Sequence, residues 1–226
     1  MAYAPVNDFF MNQYAVACTA SKQAVLIDCG ASTTEQLNGF LQWLAQHAYK
    51  LTAIWQTHAH LDHVAGLGLV RQKYPGIPIH VHQAELAIYE SFPQRRQDFG
   101  FVVEDPHLPP TDSLTLFDST TTQFMNCGEL GFQIVDCPGH SPGHVGFYEP
   151  KSLSFFGGDF IMQGSVGRTD FPTSNPTDMN KSLEKFVHSM PEAVTIFPGH
   201  GPPTTLKQEK QTNPFLQAYA NNWGGA

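Results

Sequence analysis

Four metal-ligating side chains lie in the short segment HAHLDH, residues 58–63, directly after a predicted buried strand. One ion cannot comfortably take four side chains spaced this closely, because its ligands must surround it. We therefore expect His58 and His60 to face one ion, and Asp62 and His63, one helical turn further on, to reach a neighbouring ion. The segment predicts a centre for two metal ions.

Three further residues with metal-binding side chains, His140, Asp159 and His200, each follow a glycine near the end of a predicted strand. Such glycines permit tight backbone turns where strands end at a cleft. Imidazoles and carboxylates suit zinc, and iron or manganese are also compatible because no thiolate is present to specify zinc. Two divalent ions ~3.5–4 Å apart can turn a shared water into hydroxide near neutral pH, which predicts hydrolytic chemistry.

These residues, in this order, resemble the metallo-β-lactamase superfamily, from about Asn12 to Leu216. The resemblance implies an α/β fold, a four-layer αββα sandwich with the metal site at the strand ends on one edge. It also implies one domain over residues 1–226 and two divalent ions. Asp62 and Asp159 are the implied catalytic residues. The implied ligands are His58, His60 and His140 for one ion, Asp62, His63 and His200 for the second, and Asp159 between them.

Two other segments resemble particular enzyme groups within this superfamily. The loop over 164–172 resembles the substrate loop of glyoxalase II-like hydrolases and of persulfide dioxygenases, whereas Gly199 to Thr205 resembles the short bacterial hydroxyacylglutathione hydrolases. The implied reaction is cleavage of a thioester such as S-D-lactoylglutathione to D-lactate and glutathione by a metal-bridging hydroxide. Two alternatives stay open: a mononuclear-iron persulfide dioxygenase, and a lactonase or β-lactamase on the same scaffold.

Substrate contacts are predicted in the same loop. Only 26 residues follow His200, too few for the helical C-terminal domain with which longer glyoxalase II enzymes grip glutathione. We therefore expect Arg168 to hold a substrate carboxylate, with Asp170 and Phe171 as further substrate-binding residues. The alternative is that Arg168 supports the structure of the loop.

Asp28 ends an early predicted strand, and two roles are open for it. It could orient a ligand histidine by accepting a hydrogen bond from the imidazole, as metal-bound histidines usually require. It could instead only form the turn before Cys29 and Gly30. His144 is expected behind the ligands or in the core.

The elements that would position these residues can be read from apolar periodicity. Strands are predicted over 9–18, 24–29 and 51–57, and a helix follows the S-x-x-E capping box of Ser32 and Glu35. A further helix is predicted over 63–74. Short strands dominate the second half, with one helix beginning at Pro176. This order suggests two sheets packed face to face with helices outside.

Composition sets limits on the partners. Twelve Lys and Arg against twenty Asp and Glu give a net charge of −8, and the absence of a basic run disfavours nucleic acid and anionic membranes. The four cysteines form no C-x-x-C pair, and there is no signal-peptide pattern, so a cytoplasmic protein is expected. The predicted partner is a small thioester, with a glutathione conjugate as the leading candidate.

Overall fold

Near-continuous apolar runs let the central strands of the N-terminal half bury both faces. The computed structural model describes residues 1–220, so the last six residues of the predicted domain lie outside the described residues. The first sheet is antiparallel on one side and parallel from its third strand onward. In spatial order its six strands within residues 1–220 are Ala2–Val6 (β1), Met11–Ala17 (β2), Gln23–Ile27 (β3), Lys50–Trp55 (β4), Ile79–His82 (β5) and Thr115–Phe117 (β6).

The C-terminal half forms a second sheet, in which one neighbouring pair of strands is parallel and the other pairs are antiparallel. In spatial order the six strands within the described residues are Thr204–Thr205 (β14), Thr195–Pro198 (β13), Ser154–Gly158 (β10), Val145–Glu149 (β9), Leu130–Asp136 (β8) and Phe124–Cys127 (β7). A small hairpin, Ile161–Met162 (β11) and Ser165–Val166 (β12), packs against this half through the buried Ile161 side chain.

Helices cover the outer faces of both sheets. The α-helices among residues 1–220, not all of which lie on those faces, are Thr34–Gln46 (α1), Leu61–Val64 (α2), Leu67–Lys73 (α3), Leu86–Glu90 (α4), Phe92–Asp98 (α5), Pro176–Ser189 (α6), Leu206–Thr212 (α7) and Pro214–Ala220 (α8). None of the helices in residues 1–220 is long and apolar enough to span a membrane.

Three layers of buried apolar side chains join the elements. Between the sheets, the Trp55 ring lies 5.2 Å from Phe132 and 5.3 Å from Phe147. Outside the second sheet, Phe186 of α6 packs 4.6 Å from Phe155 of β10. Each such fully buried aromatic side chain contributes about 1.5–3 kcal/mol. Helix, sheet, sheet and helix therefore form the predicted αββα sandwich.

Two local predictions were wrong in detail. Helix α1 is capped by Thr33, whose hydroxyl accepts from the Gln36 N–H at 3.3 Å, one residue after the predicted cap Ser32. The Gln36 side chain accepts from the Ser32 N–H instead, which fixes the register of the cap. The helix predicted over 63–74 is divided into α2 and α3 around Gly66, where a Cβ atom would press on the Ala31 carbonyl at 2.7 Å.

Candidate metal centre

The side chains predicted to bind metal lie in loops that follow strand ends at one edge of the sandwich. His58 and His60 follow β4, and helix α2 begins directly after them. The parallel strands β10 and β13 end side by side, with the Gly199 N–H donating to the Gly158 carbonyl at 2.7 Å. The remaining ligand candidates are Asp62 and His63 on α2, His140 after β8, Asp159 after β10 and His200 after β13.

The first group of possible ligands consists of three imidazoles. His58, His60 and His140 each offer a nitrogen within 4.8 Å of the others. His60 Nδ1 lies 2.8 Å from His140 Nε2, so these two nitrogens face the same point. The His58 ring lies 4.7 Å from the His60 ring and 5.0 Å from the His140 ring.

The second group contains a carboxylate and two imidazoles. Asp62, His63 and His200 also offer ligand atoms within 4.8 Å of one another. His200 Nε2 lies 3.1 Å from Asp62 Oδ2, and His63 Nε2 lies 3.7 Å from the same oxygen. The structure thus brings together each of the two sets of residues that the family resemblance assigned to separate ions.

Asp159 lies between the two groups. Its Oδ2 atom is 3.4 Å from His140 Nε2 in the first group and 3.6 Å from His200 Nε2 in the second. Its Oδ1 atom is 3.3 Å from His63 Nε2. A Cβ atom at position 199 would collide with this carboxylate, which explains the glycine there. The carboxylate therefore has the position that a bridging ligand requires.

The donor set fits divalent cations. His58 Nε2 and Asp159 Oδ1 are buried and make no hydrogen bond in the structure. Leaving such a polar atom unsatisfied costs about 1–3 kcal/mol, and a bound cation would remove that cost. Nitrogen and carboxylate ligands without a thiolate suit zinc, iron or manganese.

The electrostatics of the two groups differ. Burial lowers the pKa of His58 far below its usual value and that of His60 to about 3, so both imidazoles are neutral and able to bind a cation. Burial also opposes a charge on His63, but Asp159, Asp62 and Asp28 outweigh it and raise the pKa of His63. The second group therefore favours positive charge, and a divalent ion would displace the proton from His63.

Asp28 orients one histidine directly and another through Thr57. Its Oδ2 accepts from His63 Nδ1 at 2.9 Å and from the Thr57 hydroxyl at 2.8 Å. Because the Thr57 hydroxyl donates to Asp28, its oxygen accepts a hydrogen bond from His58 Nδ1, which lies 3.0 Å away. Both histidines thereby keep Nε2 free to face the centre. Asp28 lies at the bend after β3 with a φ of 56°, and its carboxylate contacts favour the orienting role over a role in the turn alone.

Backbone carbonyls orient two other histidines. His140 Nδ1 donates to the Arg168 carbonyl at 2.8 Å, and His200 Nδ1 donates to the Phe9 carbonyl at 3.1 Å. Phe9 lies in the turn between β1 and β2, which the sequence did not connect with the site. His144 is buried and accepts from the Asp159 N–H at 3.2 Å, so it lies behind the ligands as expected.

Glu85 is a positioning residue that the sequence did not reveal. Its fully buried carboxylate accepts from the Ala59 N–H at 2.8 Å and from the Gly143 N–H at 2.7 Å. These two amides belong to the loops that carry His58 and His140. Glu85 thus joins the two loops that form the first ligand group. No local motif marks it, because both partners are distant in the chain.

A cavity of about 360 Å³ opens above the ligand candidates, a size typical of small-molecule sites. His60, Asp62, Asp159 and His200 reach its surface, and most of its wall is apolar. The apolar wall residues are Phe9, Leu61, Ile88, Phe92, Phe99, Met162, Val166 and Phe171.

The three residues predicted to bind substrate occupy different positions. Phe171 and Arg168 line the cavity, and the Phe171 ring lies 5.1 Å from the His60 ring. Asp170 is not part of the cavity wall. Its carboxylate binds the Arg168 guanidinium, with Nε and Nη2 at 2.5 and 2.6 Å from its two oxygens. The ion pair leaves less of the Arg168 charge for a substrate than the sequence suggested.

Replacing Asp28 with asparagine should weaken metal binding about 10- to 100-fold, because the acceptor that holds His63 and Thr57 is partly replaced by a donor. The affinity can be measured by competition with a chromophoric chelator. Asp178→Asn, a half-buried aspartate at the start of α6 outside the candidate ligand groups, is the matched control. Equal affinities for the Asp28 variant and its parent would mean that Asp28 acts only in the turn.

Comparison with known proteins gives a consistent result. The profile of the metallo-beta-lactamase superfamily matches residues 6–200. The chain is 32% identical to hydroxyacylglutathione hydrolase GloC of Haemophilus influenzae over 198 residues, covering 87% of this chain and 89% of GloC.

Two solved structures extend the comparison. The di-iron-bound form of TTHA1623 is similar with a TM-score of 0.81 and 33% identity, over 96% of this chain and all of that chain. The BLEG-1 B3 metallo-beta-lactamase is similar with a TM-score of 0.75 and 29% identity, over 95% of this chain and 98% of that one. The family match and the site geometry point to the same class of protein.

Proposed function

The chain belongs to the metallo-beta-lactamase superfamily, and we propose that it is a binuclear metal-dependent hydrolase of thioesters such as S-D-lactoylglutathione. The observation that carries this proposal is the pair of ligand groups joined by Asp159. The similarity to GloC supports glutathione thioesters as the substrate class.

His58, His60 and His140 would hold one ion, Asp62, His63 and His200 the other, and Asp159 would contact both. Zinc is the leading candidate, and the di-iron form of TTHA1623 supports testing iron as well. Two divalent ions supply a water of lowered pKa and stabilise negative charge on a carbonyl oxygen.

The residues of the chain supply the rest of the chemistry. Asp62 reaches the cavity, where its carboxylate would orient the attacking water and accept its proton. Phe171 and the other apolar wall residues would exclude bulk water from the scissile thioester. The leaving group departs as a thiolate. Because the corresponding thiol has a pKa of about 8.5, the thiolate is a good leaving group and a separate general acid is not required. The products are a carboxylate, a thiol and one proton.

The test measures metal content and activity together, on protein purified without added metal. We expect about two ions per chain and hydrolysis of S-D-lactoylglutathione that a chelator abolishes and added metal restores. One iron per chain with oxygen uptake on glutathione persulfide would contradict the proposal in favour of a dioxygenase. Because of the similarity to BLEG-1, a chromogenic cephalosporin and a lactone belong in the same assay. Ring opening without thioester hydrolysis would also contradict the proposal.

A further inference from the structure

Arg95 brings a positive charge to the cavity from an element that carries no ligand candidate. It lies on α5, is half-buried and lines the cavity above the metal centre. Its guanidinium carbon is 5.7 Å from the centre of the Phe171 ring. Across residues 1–220, no carboxylate lies within ion-pair distance of Arg95.

Arg168 also lies near the Phe171 ring, but its positive charge is paired with a carboxylate. Its guanidinium carbon is 4.4 Å from the Phe171 ring centre, but Asp170 binds it through two hydrogen bonds. Both members of this ion pair are more than half exposed. Of these two guanidinium groups, Arg95 therefore has the charge still free to bind an anion.

The surroundings of Arg95 strengthen the case for an anionic ligand. Ile88, Phe92 and Phe99 come from the same part of the chain and form an apolar wall beside it. A charge at an apolar wall is costly to desolvate unless an opposite charge accompanies it. A planar guanidinium binds a carboxylate through two parallel hydrogen bonds, which gives both affinity and orientation.

Phe171 lies near both this charge and the reaction centre. Its ring centre is 5.1 Å from the His60 ring centre and 5.7 Å from the Arg95 guanidinium carbon, so one aromatic ring neighbours both a ligand histidine and the guanidinium. A carboxylate held there is separate from the carbonyl group that reacts. We propose that Arg95 selects thioesters that carry a carboxylate on one arm, away from the scissile bond. This inference rests on the proposed function, because it names the substrates of that same site.

The carboxylate can belong to the thiol arm or to the acyl arm, and three thioesters separate these sources. S-D-lactoylglutathione has carboxylates on the thiol arm, succinyl-N-acetylcysteamine has one on the acyl arm, and lactoyl-N-acetylcysteamine has none. For Arg95→Gln we expect kcat/KM on the preferred charged thioester to fall ~5- to 50-fold relative to the neutral thioester, mainly through KM. Arg95→Lys should recover part of this selectivity, since it keeps the charge without the planar fork.

Arg96→Gln is the matched control, because Arg96 is the next residue of α5 and does not line the cavity. It should keep the parent selectivity. The inference is overturned if Arg95→Gln loses activity equally on all three thioesters, or if the parent does not prefer a charged thioester.

A binding measurement separates failure of this inference from failure of the proposed function. S-hexylglutathione is a thioether that cannot be hydrolysed, and calorimetry measures its affinity without turnover. We expect Arg95→Gln to weaken its binding ~5- to 50-fold, with Arg96→Gln unchanged, if the thiol arm carries the recognised carboxylate. S-hexyl-N-acetylcysteamine is the neutral control.

If no thioester is hydrolysed but this difference remains, the proposed function fails and anion recognition by Arg95 stands. If hydrolysis occurs and Arg95 affects neither selectivity nor binding, only this inference fails.

Discussion

Asp159→Ala is expected to lower metal occupancy in both ligand groups and to reduce thioester turnover by at least about 10³-fold. The Asp159 carboxylate faces a histidine of each group, with its Oδ2 atom 3.4 Å from His140 Nε2 and 3.6 Å from His200 Nε2. Without it, the neighbouring imidazoles lose the negative charge that keeps two cations close together. A 10³-fold loss corresponds to about 4 kcal/mol, within the range that metal ions contribute to a transition state.

Metal content per chain and kcat on S-D-lactoylglutathione test this expectation, beside the melting temperature as a check on folding. Asp159→Asn serves as a second variant, since it keeps the shape of the side chain and removes the charge. Asp178→Ala is the control and should retain parent activity. An Asp159→Ala protein that carries about two ions and turns over at the parent rate would show that the bridging assignment is wrong.

Asp62→Ala is expected to remove the second ion selectively. Asp62 contacts His200 at 3.1 Å and belongs to no other ligand group, so His58, His60 and His140 keep their arrangement. The variant should bind one ion per chain instead of two. Its kcat should fall ~10²- to 10⁴-fold, because it loses both a metal site and the carboxylate that would receive the proton of the attacking water.

Titration of the metal-free protein with cobalt counts the sites through the visible absorption of each bound ion. Comparison with Asp159→Ala adds a specific contrast, since that variant should affect both sites. Full hydrolytic activity of Asp62→Ala with one ion would mean that a single metal suffices. That result would contradict the binuclear mechanism and shift support to the mononuclear dioxygenase.

The ligand candidates and the main strands could be predicted from the sequence, whereas several short elements could not. The segment 58–63 by itself indicated two neighbouring ions, because dense spacing is a property of the chain itself, and the family resemblance assigned the later glycine-flanked residues to those ions. The strand pattern indicated the two sheets and the helices outside them. Elements such as β1, α4 and α5 were absent from that prediction, since short or irregular segments have little periodicity of their own.

Asp28 illustrates the limit of what the sequence by itself predicts. The residue type and the strand end were visible, but its partner His63 is 35 residues away. Strands β3 and β4 lie side by side as parallel neighbours, and this pairing brings Asp28 beneath the ligand loop. Only tertiary packing decided that a residue at this bend accepts hydrogen bonds from both His63 and Thr57.

The substrate side of the cavity depended even more on tertiary structure. Arg168 and Asp170 are close in sequence, and their ion pair occupies the Arg168 charge. The tertiary structure adds Arg95 at the Phe171 ring as a second guanidinium without such a partner. Glu85 accepts from amides 26 and 58 residues away, and helix α5 reaches the cavity through contacts distant in the chain. The sequence by itself determined which metal-binding side chains are present and in which local turns they lie, because both are encoded over a few residues. Tertiary structure decided orientation and substrate contacts because these depend on which distant segments pack together.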